Sequence, residues 1–109
     1  MDDLTELLKG VLEGAVMQIL RHDSTYGYEI VKALNAVGFA SVSEGTVYPI
    51  LLRLEKKGCV DVTQQRSEVG PPRKVYTLNA AGEAALQSFW QRWEFISARL
   101  QSIKENGND

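Results

Sequence analysis

Residues 43–58 read SEGTVYPILLRLEKKG, and the fold of the chain turns on whether this stretch is a helix. Val47, Ile50, Leu51 and Leu54 fall at steps of three and four, the spacing that gathers apolar side chains on one face of an α-helix. Ser43 stands where an N-cap belongs, Glu44 suits the positive end of the helix, and Gly58 suits its stop. The predicted helix therefore runs from Glu44 to about Lys57. Gly45 and Pro49 are breakers inside its first two turns, and Pro49 forfeits one backbone bond, to Gly45. On a helical wheel Gly45, Pro49, Leu52, Arg53 and Lys56 lie opposite the apolar set. Two readings of the breakers stand side by side. One is a tolerated kink. The other is a helix start built for close approach to a DNA major groove, where a glycine removes bulk and Ser43, Thr46 and Tyr48 offer hydroxyls.

Working outward, Leu4, Leu7, Leu8, Val11, Leu12, Ala15, Val16, Ile19 and Leu20 keep the helical period and predict one amphipathic helix from Leu4 to about Arg21. Gly10 and Gly14, one turn apart, suggest close passage of another helix there. HDST at residues 22–25 supplies a turn, with Ser24 or Thr25 as N-cap of a second helix in which Tyr26, Ile30, Leu34 and Val37 hold the period and which ends near Gly38. After Gly58 the period falls to two. Val60 and Val62 alternate with Asp61 and Thr63, and Val75 and Thr77 with Tyr76 and Leu78, giving two strands. The intervening QQRSEVGPPRK carries Gly70, Pro71 and Pro72 and reads as the tip of a hairpin. From the N-cap candidate Asn79 the helical period returns and holds almost to the end, where NGND and, at the other end, Asp2 and Asp3 are expected to fray. The fold class expected is mainly α with a small β-hairpin: three short helices, a hairpin and a long helix, the plan of a winged helix-turn-helix with a C-terminal extension. Residues 1–78 form the winged helix-turn-helix and 79–109 the long helix.

A chain of 109 residues, 44% of them hydrophobic, suits one domain. Its N-terminal stretch is acidic and recurrently charged, so neither a signal peptide nor a membrane span is expected, and a cytoplasmic location is. A single cysteine, Cys59, and a single histidine, His22, exclude an internal disulfide and the usual closed zinc site; no metal or cofactor is expected. His22 reads as a turn residue facing solvent and Cys59 as a small buried hydrophobe, with ligation and redox sensing as the minor readings. No nucleophile and base pairing or phosphate loop appears, which argues against an enzyme.

The net charge is −2, from 14 acidic and 12 basic residues, and on average speaks against nucleic acid. Its distribution speaks the other way. Between Ser43 and Asn79 six cations (Arg53, Lys56, Lys57, Arg66, Arg73 and Lys74) face four anions, leaving +2, whereas the rest of the chain has six against ten and carries −4. Positive charge concentrated on one helix and the adjoining hairpin is what phosphate contact needs, although a merely solvated face also explains it. The candidate DNA contacts are Ser43, Thr46, Tyr48, Pro49 and Arg53 at the bases and Lys56, Arg66, Arg73 and Lys74 at phosphates.

Three blocks in this order, YGYEIVKALN (26–35), SEGTVYPILLRLEKKG (43–58) and GPPRKVYTLNAAG (70–82), resemble the signature segments of PadR-type transcriptional regulators. The likeness spans the first helix to the start of the last and departs from the family's habit at Val75, where tyrosine is common, and at Asn79, where threonine is. It implies a homodimeric winged helix-turn-helix repressor, with Ser43 to Arg53 as recognition element and Gly70, Pro71, Arg73 and Lys74 as wing. The single terminal helix is similar to the family's shorter branch.

In that helix Leu86, Phe89, Trp93, Ile96, Leu100 and Ile103 step by 3, 4, 3, 4 and 3, a heptad seam that asks for a partner helix. With Leu8 they form the expected dimer interface, the far half of the helix packing against a second copy and that copy's first helix. Trp90 and Trp93, with Leu7 and Val11, are candidates for a flat cavity that binds a small aromatic or multidrug-like effector; drug-sensing members of the resembled family carry tryptophan where Trp93 stands. An ordinary aromatic dimer core is the plainer reading of the same residues. The function expected is a repressor on a pseudo-palindromic operator in double-stranded DNA, released by such an effector. A winged helix that binds another protein, and no DNA, is the competing class.

Overall fold

The computed structural model describes residues 4–67 and 69–106, so the ends expected to fray at Asp2, Asp3 and residues 107–109 lie outside the described residues. The first apolar stretch folds as two helices, α1 (Thr5–Leu8) and α2 (Leu12–His22), and not as the single helix predicted. The break falls at Gly10, which has open space about its Cα; Val11 N donates to Leu8 O at 2.9 Å in a tight turn and the helical ladder restarts with Ala15 N to Val11 O at 3.0 Å. Close passage of another helix holds for Gly14 alone, where a methyl group would overlap the Phe89 ring.

A two-residue strand, β1 (Thr25–Tyr26), precedes α3 (Gly27–Ala36). This corrects the N-cap reading of Ser24 or Thr25: the N-cap position falls on Tyr26, in extended conformation and without a side-chain bond to the helix. The breaker-bearing stretch is helix α4 (Glu44–Lys56), with Val47, Ile50, Leu51 and Leu54 buried as its spacing requires. It ends in a Schellman turn, in which Gly58 takes φ +76°, its N donates to Glu55 O at 3.0 Å, and Cys59 N donates to Leu54 O at 2.9 Å.

The wing is the antiparallel pair β2 (Val60–Gln65) and β3 (Arg73–Leu78), longer at its tip than the sequence period suggests because Gln64 and Gln65 pair with Lys74 and Arg73. β1 adds to the other edge of β3, Thr25 opposite Tyr76 and Tyr26 opposite Val75, so the sheet has three strands in the order β1-β3-β2.

Asn79 joins the sheet to α5 (Ala80–Asn106). Its Oδ1 accepts from Gly82 N at 2.9 Å as an N-cap, while its Nδ2 donates to Gly58 O at 2.9 Å and to Asp61 Oδ1 at 3.1 Å. At Gly82 the helix passes so close to the Cys59 carbonyl and Leu78 that no side chain fits. The core, with Val16, Ile30, Leu34, Val47, Leu51 and Leu54 fully enclosed, lies between α2, α3, α4 and the sheet. Helix α5 leaves it. Twenty-seven residues make a rod of about 40 Å, and the chain is correspondingly long, 64 × 32 × 20 Å.

Candidate nucleic-acid interface

The outer face of α4 presents Ser43, Tyr48, Pro49, Leu52, Arg53 and Lys56 to solvent, with Thr46 half-buried. The carbonyl of Ser43 starts the helix, accepting from Thr46 N at 3.0 Å and Val47 N at 3.1 Å, and its hydroxyl makes no capping bond. At Gly45 a Cβ would meet nothing closer than Ser43 Oγ at 3.6 Å. Packing within the chain thus makes no demand for glycine there.

Tyr48 lies over the start of α3. Gly27 makes the space: a Cβ there would stand 2.7 Å from Tyr48 Cε1. Between this tyrosine, residues 26–29 and Pro72, Arg73 and Lys74 of the wing is a cleft of about 650 Å³, so the start of α4 and the tip end of the wing share one concave surface. The tip end of the wing is held from β1. The Tyr26 hydroxyl donates to Gln65 Oε1, and the guanidinium of Arg73, the cross-strand neighbour of Gln65, sits 5.4 Å from the centre of the Tyr26 ring. Behind the cleft, burial raises the pKa of the Tyr76 phenol above its usual value, with smaller contributions from Tyr48 and Glu55.

The expected contacts are thus placed unevenly. Tyr48, Arg73 and Lys74 line one cleft, and exposed Lys56 and Arg66 make no ion pair among the described residues. Arg53 is engaged already: Glu13 of α2 places Oε2 at 3.7 Å from its Nε and Oε1 at 2.9 Å from Lys57 Nζ. Residues missed in the sequence are Glu13, Tyr26 and the exposed Tyr28, whose ring carries Lys32 Nζ at 5.5 Å from its centre. The glycine between two tyrosines at 26–28 was the available signal for the tyrosines; no spacing rule connects Glu13 with Lys57.

Along α5 exposure of the seam rises with distance from the core: Trp93 43%, Ile96 52%, Leu100 62% and Ile103 66%. Leu8 and Leu86, expected at the dimer interface, are instead buried in the chain's own core, Leu86 because the first turns of α5 still lie over α2. Phe89 is half-buried against that core, its ring over Gly14. Trp90 also faces α2, donating from Nε1 to Gln18 Oε1 at 2.9 Å, and Gln18 Nε2 lies 3.1 Å from His22 Nε2. The expected effector residues do not converge within one chain. Trp90 lines a cleft of about 470 Å³ with Gln18, Arg21, Glu83 and Gln87 in which Trp93, Leu7 and Val11 have no part; Leu7 is exposed and Val11 half-buried. Cys59 is buried, no group of three metal-ligating side chains occurs among the described residues, and no described helix is long and apolar enough to cross a membrane.

The pattern of the transcriptional regulator PadR-like family matches residues 16–88. Among solved structures the chain is similar to a PadR-like transcriptional regulator from Bacillus cereus, 38% identical with a TM-score of 0.82 over 94% of this chain and 99% of that one. It is also similar to a Streptococcus transcriptional regulator, 41% identical with a TM-score of 0.80 over 92% and 98% of the two chains. A transcriptional regulator of Mycobacterium tuberculosis is 40% identical over 73 residues, 64% of this chain and 66% of the relative.

Proposed function

The chain belongs to the transcriptional regulator PadR-like family, a family of regulators and not of enzymes, and from that membership and its basic face we propose that it represses transcription by binding a pseudo-palindromic operator in double-stranded DNA as a homodimer. The observation that carries this reading is the concave surface on which Tyr48 of α4 meets Arg73 and Lys74 of the wing. In this mechanism Ser43, Thr46, Tyr48, Pro49 and Arg53 face base edges, and Gly45, bare without any need inside the chain, lets the start of α4 approach them. Lys56, Arg66, Arg73 and Lys74 meet phosphates, which fix position and carry no sequence information.

Residues 1–78 act as the reading head and residues 79–109 as the dimerising tail. Trp93, Ile96, Leu100 and Ile103, exposed on one chain, become buried against the second copy, and the two α4 helices are then held about 34 Å apart, one turn of DNA. The effector, a small aromatic or hydrophobic molecule, stacks at Trp93 where the two tails meet, the second copy closing a site that one chain leaves open. Filling it tilts the tails and changes the spacing of the reading heads.

Titration of the purified protein onto the DNA upstream of its own gene, against a scrambled duplex of equal length, tests the function. Preferential binding that saturates at two chains per inverted repeat is expected. Equal affinity for both duplexes would remove the operator, and no affinity for either would favour a protein-binding role.

A further inference from the structure

Glu13 is the most enclosed carboxylate of the ion pairs among the described residues, 29% exposed where the others are 45–85%. It also holds two cations, reaching Lys57 Nζ at 2.9 Å with one oxygen and Arg53 Nε at 3.7 Å with the other. Both cations stand at the C-terminal end of α4, the helix whose outer face is proposed to read DNA. The helix that carries Glu13 is held from its other side. Its neighbour Gly14 is wedged against the Phe89 ring, and one turn further on Gln18 is bonded to Trp90, so α5 grips α2 along the turn that follows Glu13. The cations, on long side chains that are more than half exposed, can move more freely than the less exposed Glu13.

We propose that Glu13 is a positioning residue that competes with DNA for Arg53 and Lys57, folding both side chains back onto α2 and thereby setting how tightly the reading head holds a duplex. The inference rests on the DNA-binding reading above. A guanidinium or ammonium neutralised by a protein carboxylate releases no DNA counterion until it changes partner, so the pair subtracts from both affinity and salt dependence. Exchange is feasible because partly exposed ion pairs are individually weak.

The experiment is a double-mutant cycle read by fluorescence anisotropy on a labelled mixed-sequence duplex across a range of salt concentrations. The four proteins are wild type, Glu13→Gln, Arg53→Ala with Lys57→Ala, and the triple variant. Glu13→Gln keeps the shape and removes the charge. It is expected to bind roughly twofold to tenfold more tightly, the worth of two such ion pairs, with a salt slope steeper by about one to two units. In the background lacking both cations the same substitution is expected to do nothing. Equal tightening in that background would mean that Glu13 acts through space as one negative charge, and would overturn the proposal. Weaker binding by Glu13→Gln at an unchanged slope would overturn it too, since Glu13 would then be orienting the cations for DNA. Absence of any salt-sensitive binding by the wild type would instead remove the DNA-binding reading itself, and this inference with it.

Discussion

The ring of Tyr48 rests on the bare Cα of Gly27, near enough that a Cβ at position 27 would stand 2.7 Å from Cε1 and 2.9 Å from the hydroxyl oxygen. The contact joins the exposed start of the reading helix to the first residue of α3. The atoms that would be displaced belong to the far end of a side chain that is 43% exposed, so the ring can swing away at little cost to the fold. Gly27→Ala is therefore expected to change stability by less than about 1 kcal/mol, since better helix propensity offsets part of the crowding. It is also expected to weaken DNA binding by moving Tyr48. Melting curves and duplex titration on the same preparation check this, and parallel losses in both would show that Gly27 serves the core instead.

The seam on α5 makes a second prediction. Ile96→Lys with Leu100→Lys places two charges where a second copy is proposed to pack, while both positions are exposed in the single chain. The wild type is expected to scatter light as two chains and the variant as one, with the core of the domain intact and affinity for an inverted repeat greatly reduced. A wild type that is monomeric at the concentrations at which it binds DNA would contradict the dimer.

A third concerns alkaline pH. Burial, with smaller contributions from Tyr48 and Glu55, raises the pKa of Tyr76 in the folded protein, so the unfolded chain loses this proton first. The corresponding stability is complete below the phenol's ordinary value of 10.0 and is lost as pH rises through the higher folded value. Tyr76→Phe is expected to flatten the decline in melting temperature above that pH, and an identical decline in both proteins would show that Tyr76 has no part in it.

How far the sequence foretold this arrangement depends on the range of the interaction involved. Helix α4 and its stop were legible because Val47, Ile50, Leu51, Leu54 and Gly58 answer to rules that act within a turn. Asn79 was legible as a cap for the same reason. Strand β1 was not, because two residues carry no period and Thr25 and Tyr26 owe their conformation to β3, some fifty positions away. The heptad steps of α5 announced a buried face without saying what buries it. Leu86 and Phe89 are covered by the chain's own core and Trp93 onward are left bare, a division set by where α2 begins beneath α5 and not by the side chains themselves. Basic residues were countable in advance, but the carboxylate that occupies two of them, Glu13, stands 44 positions from Lys57 and becomes visible only when α2 and α4 are packed together.

The proposed DNA binding depends most on a cationic face formed jointly by α4 and the wing. Its most direct test is the slope of the logarithm of DNA affinity against the logarithm of salt concentration, for the wild type and for Arg73→Ala with Lys74→Ala. Each phosphate contact contributes about 0.9 to that slope. A steep negative slope is expected for the wild type, and one shallower by about two units per reading head for the variant, with affinity lowered alike on every duplex. Binding indifferent to salt, or a slope untouched by removing both wing cations, would contradict it.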